Sequence, residues 1–391
     1  FSRIFLNICS AFSSLGKMSP YNLQTTTIAD ELRLATNFKS KVVGIAIKDR
    51  GAILPAGHSA NAAYWYDNTV GGWITSTYYM NELPKWVSDF NAQKLVDKYY
   101  KDGWNLLYPA NTYVQSTTDE KPYESKPFGT SFPYNLDKFI GKDFSKIASL
   151  PMGNSLTTEF AKAAIASEQL GADDITDFLA VSFSSPDYIG HTFGPNSIES
   201  EDGFLRLDKD LGSLFEYLDK KVGKGQYTAF LSADHGVAHT PEFMTENKLP
   251  GGRVFMGDVV KLLNKTLQEK HGIKTIIVSD DNYQLHLNHP ALDSAKVDTK
   301  ELINWIVDYM KAEPGIDRVF AIADLNIIPL NSTIRTMLNN GYYPKRNGDI
   351  QVILKPNYID AYSKTGTTHG LWNPYDAHIP LLWYGWNIKQ G

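Results

Sequence analysis

The stretch Tyr227-Thr-Ala-Phe-Leu-Ser-Ala-Asp-His-Gly236 organises the reading of this 391-residue chain. Its first five residues are apolar or β-prone, and the run stops at an adjacent carboxylate and imidazole followed by glycine. A buried strand that ends in Asp234-His235-Gly236 sets oxygen and nitrogen ligands at the carboxyl edge of a sheet. Open α/β folds bind their ligands at that edge.

Working outward, Phe178-Leu-Ala-Val-Ser-Phe183 is a second apolar run, and it ends in Ser-Ser-Pro-Asp187-Tyr-Ile-Gly-His191. Between the two runs, Phe204, Leu205, Leu207, Leu211, Leu214, Phe215 and Leu218 make the apolar stripe of a long helix. With a helix over 156–170, residues 156–236 read helix–strand–helix–strand. That is the pattern of an α/β fold with a doubly wound, mostly parallel sheet between helices.

Lys41-Val-Val-Gly-Ile-Ala-Ile47 is a third buried strand, ending in Lys48-Asp49-Arg50. Before it, residues 25–34 open a helix with threonines as N-cap candidates. Residues 62–66 and 72–77 flank Asn68-Thr-Val-Gly71 as a hairpin, and Pro84 stands near the start of a helix over 82–90. Residues 101–150 lack periodicity and read as an ordered loop.

Over 254–356 helices and strands alternate irregularly, as in a small α+β subdomain. The expected organisation is therefore an α/β core over 18–236 and 366–391, with a loop-rich insertion at about 52–150. A second insertion spans 237–365. Residues 1–17 stay unassigned, with a signal-like or artefactual character.

Composition narrows the function. The chain is 42% hydrophobic and 21% charged, enough for a large core. A net charge of -5 and a pI near 6.0 give no basic footprint for nucleic acid. No run of 18 apolar residues marks a membrane span. Cys9 is the single cysteine, so no intrachain disulfide forms and any metal site must use His, Asp and Glu.

Five residues then form a metal constellation. Asp187 and His191 follow one strand, Asp234 and His235 follow another, and His369, in Thr367-Thr-His369-Gly370, precedes the apolar run Pro380-Leu-Leu-Trp-Tyr384. Carboxylates with neutral imidazoles are zinc ligands first, manganese or iron ligands second. Two such clusters at neighbouring strand ends suit a two-metal phosphoryl-transfer site. Each short motif alone is an ordinary loop acid or surface histidine; the joint placement at strand ends is what singles them out. His239 reads as a supporting residue behind the ligands. Lys48 and Arg50 alternate at a strand end, so both side chains can point one way and grip a phosphate dianion. A solvated Lys-Asp-Arg turn is the ordinary alternative.

The segments FLAVSFSSPDYIGHTFGPN (178–196), LSADHGVAH (231–239) and SKTGTTHGLWNPYDAHIPLLWYG (363–385) resemble the alkaline phosphatase superfamily. KVVGIAIKDRGAILPAG (41–57) resembles in particular its threonine-nucleophile bacterial branch, of the PafA type. The resemblance runs from about residue 18 to the end of the chain. It implies that Asp187, His191 and His369 hold one zinc, that Asp234 and His235 hold a second, and that Lys48 and Arg50 bind the phosphoryl group of a small phosphate monoester. It also implies export to the periplasm or beyond.

In that family an earlier segment carries a further metal-binding aspartate, the nucleophilic threonine and a phosphate-binding asparagine. This chain shows no counterpart, so the nucleophilic Thr is expected to be missing, one zinc site to be incomplete, and the chain to be a truncated, poorly active zinc-dependent phosphomonoester hydrolase. The alternatives are a phosphodiesterase or nucleotide pyrophosphatase of the same superfamily, and a non-catalytic metal- or phosphate-binding protein.

Overall fold

In the computed structural model, residues 14–391 are described, so most of the signal-like stretch 1–17 lies outside the described residues. The chain divides into two compact units. The first comprises the residues up to Lys121 together with Ser125–Leu231 and Leu382–Gly391; the second comprises Pro122–Glu124 and Ser232–Leu381.

The first unit is built on strands β1 (Val42–Ala46), β2 (Ala62–Asp67), β3 (Gly72–Ile74) and β4 (Phe178–Ser182), in the order β3-β2-β1-β4. β1 pairs in parallel with both β2 and β4, and β3 closes the edge antiparallel to β2. Helix α1 (Ile28–Ala35) starts at Thr27, whose hydroxyl and the Asp30 carboxylate cap each other's backbone in a capping box. Helix α2 (Asp49–Ala56) follows β1 directly and packs back on it. A Cβ on Gly44 of β1 would stand 2.0 Å from the Ala52 carbonyl oxygen, so only glycine lets helix and strand approach this closely.

α3 (Lys85–Asn91), α4 (Leu95–Asp102) and α5 (Met152–Ser167) cover the sheet with an aromatic cluster centred on Phe160, which stacks on Trp73 at 4.2 Å. From 103 to 149 the chain makes only short 3-10 turns and a bridge between Trp104 and Tyr134, as expected for an ordered loop. β2, β3 and α2–α4, by contrast, belong to the core layers. The loop-rich character assigned to 52–150 therefore begins only after α4, because the alternation of buried aromatics in 62–74 builds a sheet edge.

Helices α6 (Ser185–Phe193) and α7 (Ile198–Leu218) follow β4, and strand β5 (Thr228–Ser232) follows α7. β5 pairs with β12 (Leu381–Gly385) in a two-stranded sheet. Here the expectation of buried core strands is corrected. Phe230 is 46% exposed, Leu382 62% and Trp383 52%. Among the described residues these strands pair only with each other, so their apolar side chains keep open faces.

The second unit holds α8 (Pro241–Glu246), β6 (Gly252–Val254), α9 (Met256–His271), β7 (Ile277–Ser279), β8 (Gln284–Leu287), α10 (His289–Ser294), α11 (Thr299–Met310), β9 (Ile316–Ala321), α12 (Ser332–Gly341), β10 (Ile350–Leu354), β11 (Tyr358–Asp360) and α13 (Pro374–Ala377). Its main sheet runs β7-β8-β10-β9, antiparallel throughout, and β6 pairs in parallel with β11. Leu263, Leu267, Ile306, Met310, Ile350 and Val352 centre its own core. No helix among the described residues is long and apolar enough to cross a membrane.

Candidate metal centre

In the first unit the chemistry gathers at the start of α6. Ser184 precedes the helix, Pro186 stands in its first turn and Gly194 ends it with φ +91°. Asp-x-x-x-His is thus a helical i,i+4 pair, which puts both candidate ligands on one face. Asp187 Oδ1 and His191 Nε2 are 3.3 Å apart.

The Lys48 ammonium hydrogen-bonds Asp187 Oδ2 and lies 4.7 Å from the centre of the Tyr188 ring. Burial would raise Asp187, but hydrogen bonds from His191 and Lys48 outweigh it and hold the carboxyl well below the usual range. An ionised, half-buried carboxylate beside an imidazole fits a divalent cation. Lys48 supplies a positive charge to the same carboxylate.

Lys48 and Arg50 do not sit on a continuing strand. β1 ends at Ala46; Lys48 is the N-cap of α2 and Arg50 belongs to its first turn. Residues two apart on a helix do not face each other. Lys48 turns towards Asp187, and the Arg50 side chain is 67% exposed with Asp49 at 4.0 Å. Strand alternation is therefore not what relates the pair; both belong to the N-terminal turn of one helix, an anion-favouring position.

In the second unit, His235 and His369 come together on two apposed turns, and Asp234 stands beside His235 with its side chain largely exposed. Val237 N donates to Tyr375 O at 3.1 Å, Ala238 N to Thr368 O at 3.2 Å, and Gly236 N to Asp376 O at 2.6 Å. The His235 and His369 rings stack with centroids 3.4 Å apart and planes 13° from parallel. His235 Nδ1 lies 2.8 Å from the Gly236 carbonyl, and Nε2 lies 3.4 Å from Asp234 Oδ2. The Asp234 side chain is 85% exposed. His239 stacks on Phe243, and burial lowers its pKa.

Sequence reading missed Asp376 on α13. It is 2% exposed, and its carboxylate has a ligand atom within 4.8 Å of those of His235 and His369. Burial raises its pKa, with backbone N–H groups and His235 acting against that. The signal available was a carboxylate seven residues after His369, inside the Asn373-Pro-Tyr-Asp-Ala-His378 run. The two imidazoles, with the Asp234 carboxylate beside His235, are donor types suited to zinc, and the Asp376 carboxylate lies close to both rings.

Residues 17–376 match the type I phosphodiesterase / nucleotide pyrophosphatase family. The chain is 48% identical to alkaline phosphatase PhoV of Synechococcus elongatus, over 97% of this chain and 69% of that protein. It is likewise 48% identical to alkaline phosphatase PafA of Elizabethkingia meningoseptica, over 97% of this chain and 70% of that one. The crystal structure of wild-type PafA superposes with a TM-score of 0.95 at 47% identity, covering 98% of this chain and 74% of that chain. The fold is thus alkaline phosphatase-like. These alignments lend no support to the expectation of a poorly active chain.

Proposed function

From its membership of the type I phosphodiesterase / nucleotide pyrophosphatase family, within the alkaline phosphatase superfamily, this chain is a phosphomonoester hydrolase, and we propose that it works with two zinc ions. The proposed ligands are Asp187 and His191 in the first unit and Asp234, His235 and His369 in the second. The carrying observation is the helical Asp187–His191 pair at 3.3 Å, with the Lys48 ammonium already on the Asp187 carboxylate.

Bound zinc supplies charge for an attacking oxygen and for the leaving oxygen of phosphoryl transfer. The chain's own residues orient and neutralise. Lys48 and Arg50, from the first turn of α2, hold the non-bridging oxygens of the phosphoryl group, with the helix N-terminus adding partial positive charge. A monoester offers more charged oxygens to this pair than a diester does, so the pair sets monoester preference. We place the protein in the periplasm or outside the cell, in line with its alkaline phosphatase relatives.

The test is the ratio of p-nitrophenyl phosphate to bis-p-nitrophenyl phosphate hydrolysis, with and without zinc. Zinc removal should abolish both activities. Lys48→Ala with Arg50→Ala should cut the monoester rate by about 100-fold or more, from two lost charged contacts at roughly 1.5–3 kcal/mol each, and leave the diester rate far less affected. An unchanged ratio would refute the assignment of the pair.

A further inference from the structure

The buried carboxylate of Asp376 has no role in the metal-binding set taken from the family. Its neighbours are specific. Oδ2 accepts the Leu371 N–H at 2.7 Å, two residues beyond His369. Its main-chain oxygen accepts the Gly236 N–H at 2.6 Å, one residue beyond His235. One residue is therefore bonded to both histidine-bearing turns. Its other carboxylate oxygen, Oδ1, is buried and has no hydrogen-bond partner among the described residues. A buried carboxylate oxygen without a donor costs free energy unless something nearby uses it. What lies nearby is the pair of stacked imidazoles, with ligand atoms within 4.8 Å of this carboxylate.

We propose that Asp376 is a positioning residue for the metal centre: its carboxylate holds the His235 and His369 imidazoles in their metal-binding orientation and offsets the charge of the bound ion. The inference rests on the zinc reading above. Metal-bound imidazoles characteristically gain basicity and a fixed orientation from a carboxylate behind them. Asp376 suits that place because its backbone and Oδ2 are already tied to the two turns. Oδ1 is thereby fixed and needs no reorganisation when metal arrives.

The experiment is a zinc competition titration against a chromogenic chelator for the wild type, Asp376→Asn and Asp187→Asn. It is accompanied by the visible spectrum of the cobalt-substituted proteins and the melting temperature of the metal-free forms. Asp376→Asn keeps the shape and the acceptor for Leu371 N but removes the charge. The expected result is about 10–100-fold weaker zinc binding, with an unchanged cobalt spectrum at saturation.

Three results would overturn the inference. Unchanged zinc affinity in Asp376→Asn would do so. So would a lower melting temperature with unaltered affinity of the folded protein, which marks a merely structural residue. So would a changed cobalt coordination spectrum, which marks a direct ligand. If the wild type takes up no zinc, or Asp187→Asn leaves stoichiometry untouched, the zinc reading fails first, and that outcome is distinguishable from the others.

Discussion

Asp202 on α7 provides the sharpest stability test in the first unit. It is fully buried and accepts four hydrogen bonds. Oδ2 takes Trp104 Nε1 at 2.7 Å and Arg206 Nε at 2.6 Å; Oδ1 takes Leu107 N at 2.8 Å and the Tyr113 hydroxyl at 2.5 Å. These bonds fasten the loop after α4 to the helix that follows the Asp187–His191 turn. Asp202→Asn preserves volume but offers one acceptor oxygen and one NH2 donor. With the amide oxygen kept towards Trp104 and Arg206, the NH2 group faces the Leu107 N–H, which loses this acceptor, while the Tyr113 hydroxyl, which also accepts Leu107 N–H at 3.0 Å, can rotate to accept from the NH2. A backbone donor set against another donor at about 1–3 kcal/mol, together with loss of the charge-assisted bond to Arg206 at roughly 1–2 kcal/mol, gives roughly 2–5 kcal/mol of destabilisation. Taking about 4 kcal/mol, and about 2–4 °C per kcal/mol for a unit of this size, the melting temperature should fall by roughly 8–16 °C. Near-ultraviolet circular dichroism, which reports buried aromatics such as Trp104, follows the transition directly. A melting temperature within 2 °C of wild type would refute the idea that this carboxylate holds the loop.

Gly236→Ala places a Cβ 2.2 Å from the Tyr375 carbonyl oxygen and forces apart the turns that carry His235 and His369. Overpacking at about 1–3 kcal/mol, plus two strained hydrogen bonds at about 1 kcal/mol each, predicts a loss of roughly 3–5 kcal/mol together with reduced zinc content, checked by urea titration and metal analysis. Glu199 is fully buried; burial raises its pKa to about 7 from 4.5, with the Tyr134 hydroxyl at 2.5 Å acting against the rise. For a carboxyl raised in the folded state, both states are protonated below the unfolded value, and folding is penalised as the unfolded chain ionises first. Stability should therefore decline by up to roughly 3 kcal/mol from pH 4.5 to 7, and Glu199→Gln should flatten that decline in urea unfolding followed across the same range.

Much of the first unit was legible because its strands are short, apolar and bounded by chemistry-bearing turns. The runs at 41–47 and 178–183 became β1 and β4, paired in parallel as a doubly wound sheet requires. The periodicity of 204–218 became the long helix α7. Two things were not legible. Lys48-Asp49-Arg50 reads as the end of a strand, yet the chain turns at once into α2, because Gly44 lets that helix dock on β1. The 227–231 and 380–384 runs read as core because they are apolar, and apolarity records a preference for burial without specifying what covers the strand.

The sequence by itself determined the types of the candidate ligands and their register. Asp187 and His191 fall four apart, Asp234 and His235 are adjacent, and His369 follows a long inserted subdomain; one cysteine leaves the metal to oxygen and nitrogen donors. The tertiary structure alone decided which groups act together. It placed Lys48 on Asp187 across 139 residues of chain, stacked His235 on His369, and delivered Asp376 to both histidine turns. The physical reason is that spacing fixes geometry only within one turn or strand. Contacts between distant segments are set by close packing and by the demand that buried backbone groups find partners, and neither leaves a local pattern in the chain.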